Sequence, residues 1–562
     1  MEESRIEFAL SVPRRRSLIP LYVSAVTAAV FVLPMCLLGN PSGHDLQPHL
    51  ASWMDIHGQW RQGVWFPRWA EWSNFGYGEP RFIFYPPLTP LLGAAFGSLM
   101  PWRMVPGLMV WIGLFTAALC MYKLASDWLS PRRGLIAAVL FASNPYNIIL
   151  AYYRSAFAEL IAAALFPLLI WAVLGIVRRE WKRAPVLAVT FAAIWITNTP
   201  AGVIATYTVV AALAVCCVRR RDARPLVLPA ACVAMGFGLA AFYVFPAWRE
   251  QRWIDVAAIV GGDGNPERNF LFSTNNAADF LAFNWIVSAV AVCLILLTAL
   301  AIVFEWRQRR ARADFFWVTT LLAVVSSFLM LPLSRILWRY LPTLEFLQFP
   351  WRWLIVLTVS WAALISAAIK FRSKLFWFAA AFVCGAALAL SLKVGWGGHD
   401  VSTVAQKFAS ESGYFSTTNF TPLGANRFTL EEHAPLLQRA DEKGELLPLQ
   451  DASAQVTQWS AERKQFSVQA RSETTLAIKL LNYPAWEVLV DGRPADVELF
   501  KKNGQMLITV PPGTHAVDLR FRRTRDRAIG GAISAASVIL LLIVSGVLWR
   551  SERRKLRISA AV

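Results

Sequence analysis

The feature that most constrains this chain is a series of apolar runs of bilayer-spanning length, separated by short basic clusters. The chain has 562 residues, of which 56% are hydrophobic and 16% charged, with a mean hydropathy of +0.45. Soluble domains carry about a quarter charged residues, so this composition excludes both a soluble enzyme and an intrinsically disordered chain. The sequence therefore predicts a polytopic α-helical membrane protein.

The basic clusters account for most of the net charge of +19. They lie beside the apolar runs, at residues 14–16, 132–133, 178–183, 219–221, 307–312, 370–374 and 550–557. Short basic loops beside apolar spans are typical of the cytoplasmic side of a membrane. Because the clusters are short and scattered and form no single basic face, we expect membrane lipids as partners and no nucleic acid.

Counting the apolar runs between these clusters predicts about twelve crossings, with both termini in the cytoplasm. The predicted spans are residues 17–38, 104–125, 134–153, 160–177, 184–197, 201–218, 225–245, 285–304, 315–333, 351–369, 375–394 and 528–549. The apolar stretch 88–100 is bounded by prolines and too short to cross, so we expect it to be interfacial or re-entrant. All seven cysteines lie in apolar runs, which indicates packing and no disulfide framework.

Residues 395–526 form a polar, Ser/Thr-rich segment of a different kind. Val517, Leu519 and Phe521 alternate with charged residues, as in a half-buried strand. Asp491-Gly492 and Asn503-Gly504 each follow or precede an apolar run and are typical of tight hairpin turns. We therefore predict a small extracytoplasmic β-sandwich at 395–526. It would lie between a membrane domain at 1–394, with its first outer loop at 39–87, and a last helix with a basic tail at 527–562.

Ionisable residues at the outer ends of the predicted spans are the candidates for chemistry, because charges near the bilayer are costly unless they are paired or functional. The first outer loop carries Asp45 and His49, which lie one helical turn apart. Leu46, Leu50, Trp53 and Ile56 follow at helical spacing and predict an amphipathic helix on the membrane surface.

Two further outer segments carry paired or isolated charges. The hairpin tip at 152–159 places Arg154 and Glu159 on the same side as Asp45. The segment at 344–353 places Arg352 between two tryptophans at the start of a span, a good position for binding a lipid phosphate.

Taken in order, these elements resemble the GT-C superfamily of polytopic glycosyltransferases, which use polyprenyl-phosphate-linked sugars. The acid after the first helix is followed by Gly63-x-x-x-Pro67-Arg68, and then by Tyr85-Pro-Pro-Leu88, Tyr153-Arg-Ser-Ala-Phe-Ala-Glu159 and Gln348-Phe-Pro-Trp-Arg352. The last three elements resemble most closely the bacterial membrane proteins called "6-pyruvoyl-tetrahydropterin synthase-related", a label that implies no pterin chemistry. The segment with Val490-Asp491-Gly492 and Pro512-Gly513-Thr514-His515 resembles the sandwich of YfhO-like proteins.

The resemblance implies a sugar transfer from a polyprenyl-phosphate donor to an envelope glycan, lipid or protein acceptor. Asp45 would act as general base or as ligand, with His49, of a divalent metal such as Mg²⁺ or Mn²⁺, and Glu159 would be the second acid. Arg352 and Arg154, with Tyr85 nearby, would bind the leaving phosphate.

Structural roles remain open for each of these residues. Asp45 is also placed to cap the loop helix, Glu159 to pair with Arg154, and Arg352 to snorkel at a helix end. Two other functions also stay open: a non-catalytic relative in envelope assembly, and a lipid-linked glycan transporter.

Overall fold

The computed structural model describes residues 18–274, 278–308, 312–368, 394–396, 399–410, 412–414, 418–441, 444–449 and 452–561. The α-helices, numbered in chain order, are α1 (Ile19–Leu38), α2 (Leu46–Arg61), α3 (Arg81–Phe84), α4 (Leu88–Leu99), α5 (Val105–Trp128), α6 (Pro131–Ala142), α7 (Pro145–Ile148), α8 (Phe157–Ala164), α9 (Phe166–Val177), α10 (Ala184–Thr197), α11 (Thr199–Arg220), α12 (Val227–Glu250), α13 (Ala257–Val260), α14 (Ala278–Glu305), α15 (Ala313–Leu329), α16 (Arg335–Tyr340), α17 (Leu354–Ala368), α18 (His399–Ala409) and α19 (Arg525–Ala561). The strands, β1 to β10, follow between α18 and α19.

Within the described residues, nine helices are long and apolar enough to cross a membrane, and a tenth results if α15 and α16 count as one span bent by 89°. The chain is therefore a multi-pass membrane protein, as predicted. Helix α10 has only 14 residues, too few to span unaided. The predicted span at 375–394 lies outside the described residues, apart from its last position.

The helices differ sharply in their environment. The span that contains α17 is almost wholly buried in the protein, whereas the span at the start of α19 is almost wholly exposed on the surface of the bundle. Helix α17 is therefore the centre of the bundle, and α19 is a peripheral helix that faces lipid. Arg352 lies in the turn that leads into α17 and so lies within the protein.

The chain between α6 and α8 is interrupted where it approaches the candidate site. Pro145 begins α7, and the Asn144 side chain caps that helix by accepting a hydrogen bond from the Asn147 amide at 3.0 Å. A wide π-type turn, Ile149–Tyr153, follows, and Ser155 takes a positive φ of 52°. Such turns inside helices are frequent at functional sites. The interruption places Arg154 in a loop at the end of the span.

The first-loop helix forms as predicted, at Leu46–Arg61, but its apolar stripe does not lie on the membrane surface. Leu46, Leu50, Trp53 and Ile56 are all buried inside the protein. The Trp53 ring packs on Phe157 of α8, with ring centroids 5.4 Å apart. An amphipathic pattern specifies only that one face is buried, and here the bundle and its loops, and not the lipid, bury it.

The polar segment folds into two antiparallel five-stranded sheets whose inner faces share one hydrophobic core. The strands are β1 (Leu437–Ala440), β2 (Leu446–Leu447), β3 (Ala452–Ser460), β4 (Arg463–Ala470), β5 (Thr474–Leu481), β6 (Trp486–Val490), β7 (Arg493–Pro494), β8 (Val497–Leu499), β9 (Gln505–Val510) and β10 (Gly513–Phe521). The sheet orders are β2-β1-β5-β9-β8 and β3-β4-β10-β6-β7.

Both hairpin predictions are confirmed. Asp491 and Gly492 take φ angles of 50° and 77° in the turn that joins β6 to β7, as a two-residue turn of this type requires. Gly504 takes a φ of 86° in the longer loop between β8 and β9. The predicted sandwich is therefore present. Its strands begin only at Leu437, and α18, ahead of them, packs into the core of the membrane domain.

The sandwich is joined to the first outer loop and to the membrane helices by buried contacts. Trp69 packs among Tyr483, Trp486 and Phe521, with ring centroids 5.5–5.9 Å apart. Gly78 passes directly over the Trp69 indole, where a Cβ atom would lie 2.0 Å from Nε1. These contacts fix the sandwich and the first loop on the same side of the membrane.

A second junction joins the sandwich to the bundle through Glu250. This carboxylate is fully buried, accepts two hydrogen bonds from Arg527 at 2.9 and 2.8 Å, and accepts one from the Tyr483 hydroxyl at 2.8 Å. It thus links the end of α12, the start of α19 and the sandwich.

Candidate functional site

A cavity of about 1430 Å³ opens between the ends of the membrane helices on the side that carries the sandwich. All six predicted site residues line it: Asp45, His49, Tyr85, Arg154, Glu159 and Arg352. Residues that lie more than 300 positions apart in the sequence therefore meet in one space of the size that binds small molecules.

Backbone contacts between two loops place Asp45. Its amide donates to the Arg154 carbonyl at 2.8 Å, and the His44 amide donates to the Tyr153 carbonyl at 3.4 Å. Gly43 makes this approach possible, because a Cβ atom there would lie 2.3 Å from Ser155 Oγ. Asp45 occupies the N-cap position of α2, but its carboxylate does not cap the helix. Instead it accepts a hydrogen bond from Arg154 Nη2 at 3.0 Å.

Glu159 lies at the centre of the cluster, in the first turn of α8. Its Oε2 accepts from Arg154 Nη1 at 2.8 Å and from Arg352 Nε at 3.1 Å, while Tyr146 Oη donates to Oε1. The side chain is only 2% exposed. Because both carboxylate oxygens are engaged, Glu159 holds the two guanidinium groups in place and has no free oxygen directed at the cavity.

Arg352 is buried and paired, so it does not snorkel into the interface. Its Nη1 donates to the Leu347 carbonyl at 2.6 Å and to Gln348 Oε1 at 3.3 Å. Gln348 in turn donates from Nε2 to the Ile259 carbonyl at 2.7 Å, and its backbone takes a positive φ of 62°. The side chain of Gln348 therefore links Arg352 to α13.

Asp45 differs from the other members of the cluster in its exposure. Its side chain is 39% exposed, whereas those of Arg154, Glu159 and Arg352 are all less than 10% exposed. Arg154 is the one side-chain partner of Asp45 among the described residues. Of the two carboxylates in this cluster, Asp45 is thus the one that a molecule in the cavity can reach.

His49 and Tyr85 contribute an aromatic wall rather than charge. The His49 ring packs against Trp53, Tyr85 and Phe157, with centroids 5.2–6.2 Å apart. Burial lowers the pKa of His49 to about 4, so the ring is neutral at physiological pH. Burial likewise raises the pKa of Tyr85, which keeps its hydroxyl protonated.

The part of the cavity away from these charges is apolar. Helices α11 and α12 line it with Tyr207, Val210, Phe237 and Trp248, and Trp195 lies at the end of α10. Trp248 is 59% exposed on the outside of the bundle. An apolar wall that reaches the lipid-facing surface suits a hydrocarbon chain.

Three site components were not predicted from the sequence. Tyr146 lies in an apolar run without any local signal. Gln348 was noted only as part of a motif, without a role. The segment Gly261-Gly262-Asp263-Gly264 is the third, and all four of its residues line the cavity. A glycine run beside the outer end of a span was the only available signal for this segment.

The donor groups do not fit a divalent metal held by the protein. Among the described residues no group of three or more His, Cys, Asp and Glu side chains is placed to hold a metal ion. The oxygens of Glu159 are taken by two guanidinium groups and a tyrosine, and Asp45 contacts Arg154. Positive charges this close to the carboxylates oppose binding of a dication.

Comparison with known proteins gives weak structural likenesses. No family model matches the chain, and no curated protein matches it. The oligosaccharyltransferase AglB from Archaeoglobus fulgidus, solved with an inhibitory peptide and a dolichol-phosphate, matches with 14% identity and a TM-score of 0.37, over 71% of this chain and 56% of that one. The same enzyme tethered to an acceptor peptide matches with 16% identity and a TM-score of 0.38, over the same shares.

ArnT from Cupriavidus metallidurans, solved with undecaprenyl phosphate, matches with 12% identity and a TM-score of 0.30, over 62% of this chain and 77% of that one. An AglB structure with Zn and sulfate matches with a TM-score of 0.33. The chain thus spans little more than half the length of the AglB chains. Because all these TM-scores are below 0.5, the likenesses assign neither family nor activity, and the functional argument rests on the cavity.

Proposed function

We propose that this protein is a membrane glycosyltransferase that moves a sugar from a polyprenyl-phosphate donor to an acceptor on the sandwich side of the membrane. One observation carries the proposal. A single cavity combines two buried guanidinium groups, an accessible carboxylate beside them, and an apolar wall that reaches the lipid. Transfer of a sugar from a polyprenyl-phosphate donor requires these three features together: two cations that bind the phosphate, a base for the acceptor, and an apolar path for the isoprenoid chain.

Arg154 and Arg352 are the proposed phosphate ligands. Guanidinium groups bind phosphate oxygens in a fixed, forked geometry, and Glu159 fixes the orientation of both. Their two positive charges are balanced by Asp45 and Glu159 in the structure. An arriving phosphate therefore competes with a carboxylate for Arg154, and the more exposed Asp45 is the one displaced.

Displacement would leave the Asp45 carboxylate free to act as general base. In the proposed step the acceptor oxygen forms a bond to the anomeric carbon while the bond from that carbon to the phosphate oxygen breaks. The electron pair of the broken bond stays on the phosphate, beside Arg154 and Arg352, and the acceptor proton passes to Asp45. A single displacement of this kind inverts the anomeric carbon. A positioned base contributes about 10²–10⁴-fold to such a step.

The membrane orientation belongs to the same proposal. Basic loops between the spans favour cytoplasmic termini, which would place the cavity and the sandwich outside the inner membrane of a bacterium. The acceptor there would be an envelope glycan, lipid or protein. The closer resemblance to the "6-pyruvoyl-tetrahydropterin synthase-related" and YfhO-like membrane proteins remains an expectation from the sequence motifs.

Binding of undecaprenyl phosphate to the purified full-length chain tests the phosphate site, with undecaprenol as the phosphate-free control ligand. We expect Arg352→Gln to weaken binding of undecaprenyl phosphate roughly tenfold or more, because a charged hydrogen bond to phosphate is lost. Arg339→Gln is the matched control, since Arg339 is exposed on the same side and does not line the cavity. Equal affinities for undecaprenyl phosphate and undecaprenol would contradict the proposal.

A turnover assay tests whether Asp45 acts as the general base. With a panel of undecaprenyl-phosphate-linked sugars, release of undecaprenyl phosphate should fall about 10²–10⁴-fold in Asp45→Asn. The same variant should bind undecaprenyl phosphate at least as tightly as the wild type, because the carboxylate that competes for Arg154 has lost its charge. Asp263→Asn is the control, an exposed acid of the same cavity that has no contact with the arginines. Unchanged turnover in Asp45→Asn would favour a non-catalytic relative.

A further inference from the structure

A second, smaller cavity lies outside the proposed active site. It has a volume of about 420 Å³ and shares no lining residue with the larger cavity. The first outer loop, α12, the sandwich and the beginning of α19 all contribute to its walls. Three phenylalanines, Phe66, Phe242 and Phe521, form apolar sides.

The charges of this cavity are unbalanced. Four arginines line it, Arg68, Arg522, Arg523 and Arg527, against the single carboxylate of Glu462. Two of the arginines are neutralised by acids outside the cavity: Arg527 by Glu250 and Arg522 by Glu487. Arg68 and Arg523 have no carboxylate oxygen within 4 Å in the part of the chain that the structure describes. Within the lining of this cavity, the charges of Arg68 and Arg523 are therefore set against the single carboxylate of Glu462.

Arg68 also has a buried donor without a partner. Its Nη2 donates to the Phe242 carbonyl at 3.3 Å, but its Nη1 is buried and has no hydrogen-bond partner among the described residues. A buried donor left unpaired is unfavourable, because it has lost its hydrogen bonds to water without gaining any in the protein. Burial and, next, the charge of Arg527 lower the pKa of Arg68 to about 9. Arg68 therefore has hydrogen-bonding capacity that no described residue uses.

The position of the cavity in the membrane indicates what kind of anion. The span that begins with α19, Arg525–Ser551, has 27 residues, whereas the hydrocarbon core needs about 20. Its first turn, which carries Arg527, therefore lies at the level of the lipid headgroups. Trp65 and Trp248, close in sequence to the cavity residues Phe66 and Phe242, are 76% and 59% exposed, as tryptophans at a membrane interface are.

We propose that this cavity binds a phosphate group, with Arg68 and Arg523 as its ligands and the phenylalanines as its apolar sides. The phosphate belongs to an anionic lipid headgroup or to a free phosphate ion. Arginine provides the forked donor geometry that phosphate oxygens accept. The bound phosphate would neutralise the excess charge and give Arg68 Nη1 a partner at the junction of sandwich, loop and last helix.

Thermal unfolding and native mass spectrometry of the full-length chain in nanodiscs test this proposal. Three preparations are compared: discs of phosphatidylcholine alone, discs with added phosphatidylglycerol, and phosphatidylcholine discs with inorganic phosphate. We expect a higher Tm and retained lipid adducts with phosphatidylglycerol if the source is a headgroup. A higher Tm with inorganic phosphate alone identifies the free ion instead.

The variants Arg68→Gln and Arg523→Gln should each weaken phosphate binding roughly tenfold, because each removes one charged hydrogen bond. Arg523 is exposed and makes no ion pair among the described residues, so its replacement leaves the fold intact even if Arg68→Gln does not fold. The matched control is Arg525→Gln, an exposed neighbour that does not line the cavity. No stabilisation by either anion, or an equal loss in Arg525→Gln, would overturn the proposal.

Discussion

Replacing Glu159 by glutamine tests whether this residue holds the site together. Glutamine keeps the shape of the side chain and removes its charge. Arg352 then has no carboxylate within ion-pair distance in the described structure, because Glu159 is its one acidic partner there. Arg154 still keeps Asp45. One buried guanidinium group is thus left without a counterion.

The magnitude follows from the burial of this pair. Removing one partner of a buried ion pair costs about 3–5 kcal/mol, and the side chains of Glu159 and Arg352 are only 2% and 8% exposed. Replacing Asp45 by asparagine should cost no more than about 1 kcal/mol, because Asp45 is partly exposed and Arg154 keeps Glu159. The double variant Glu159→Gln/Arg352→Gln should recover part of the loss, since the unpaired charge is gone.

The assay is denaturant or thermal unfolding of the purified full-length chain in one detergent. We expect the free energy of unfolding to decrease in the order wild type, Asp45→Asn, double variant, Glu159→Gln. Asp263→Asn, an exposed acid of the same cavity, is the control for loss of a negative charge. If Glu159→Gln unfolds like the wild type, or if Asp45→Asn loses as much stability, the assigned roles of the two acids are wrong.

Three further predictions concern the junctions around the site. Gly78→Ala should destabilise the contact between loop and sandwich, because the added methyl group overlaps the Trp69 indole at a positive φ of 74°. The Tm of the purified chain should fall, and an unchanged Tm would contradict the predicted overlap. Burial raises the pKa of Asp55 to about 7 from 3.8, so its favourable contribution to stability is complete below about pH 4 and is lost as the pH rises through 7. The difference in Tm between wild type and Asp55→Asn should therefore change between about pH 4 and 7, and a constant difference over this range would refute this. Glu250→Gln should lower the free energy of unfolding by about 3–5 kcal/mol, because it leaves Arg527 unpaired. Limited proteolysis near residue 523 should then become faster. A cleavage rate equal to that of the wild type would show that Glu250 does not hold this junction.

The elements could be predicted from the sequence where local rules determine them. The spans, the loop helix after Asp45 and the hairpin at Asp491-Gly492 follow from apolar length, periodicity and the residues that tolerate positive φ. Whether an apolar face contacts lipid or protein could not be predicted in this way. The apolar stripe of α2 was expected in the membrane interface, but it is buried against protein. Periodicity does not distinguish lipid from a neighbouring helix.

The candidate residues could be predicted individually, whereas most of their pairings could not. The proximity of Arg154 and Glu159 follows from their places in one hairpin tip. The contact of Glu159 with Arg352 joins positions 193 residues apart, and that of Asp45 with Arg154 joins positions 109 apart. Only the packing of α8 against the turn before α17 brings Glu159 and Arg352 together. The role of Tyr146 follows from the same packing and had no signal of its own.

The junction between the first loop and the sandwich has a consequence for biosynthesis. The Ala461 amide donates to Gln62 Oε1 at 2.9 Å across 399 positions, and Lys464 contacts Glu71 at 3.4 Å. At about 5–20 residues per second, a ribosome needs roughly 20–80 s to reach these partners. During that interval the buried face of the loop is still uncovered, and Glu71 has no cation from the sandwich beside it. The loop that carries Asp45 is thus translated well before the strands that complete its native contacts.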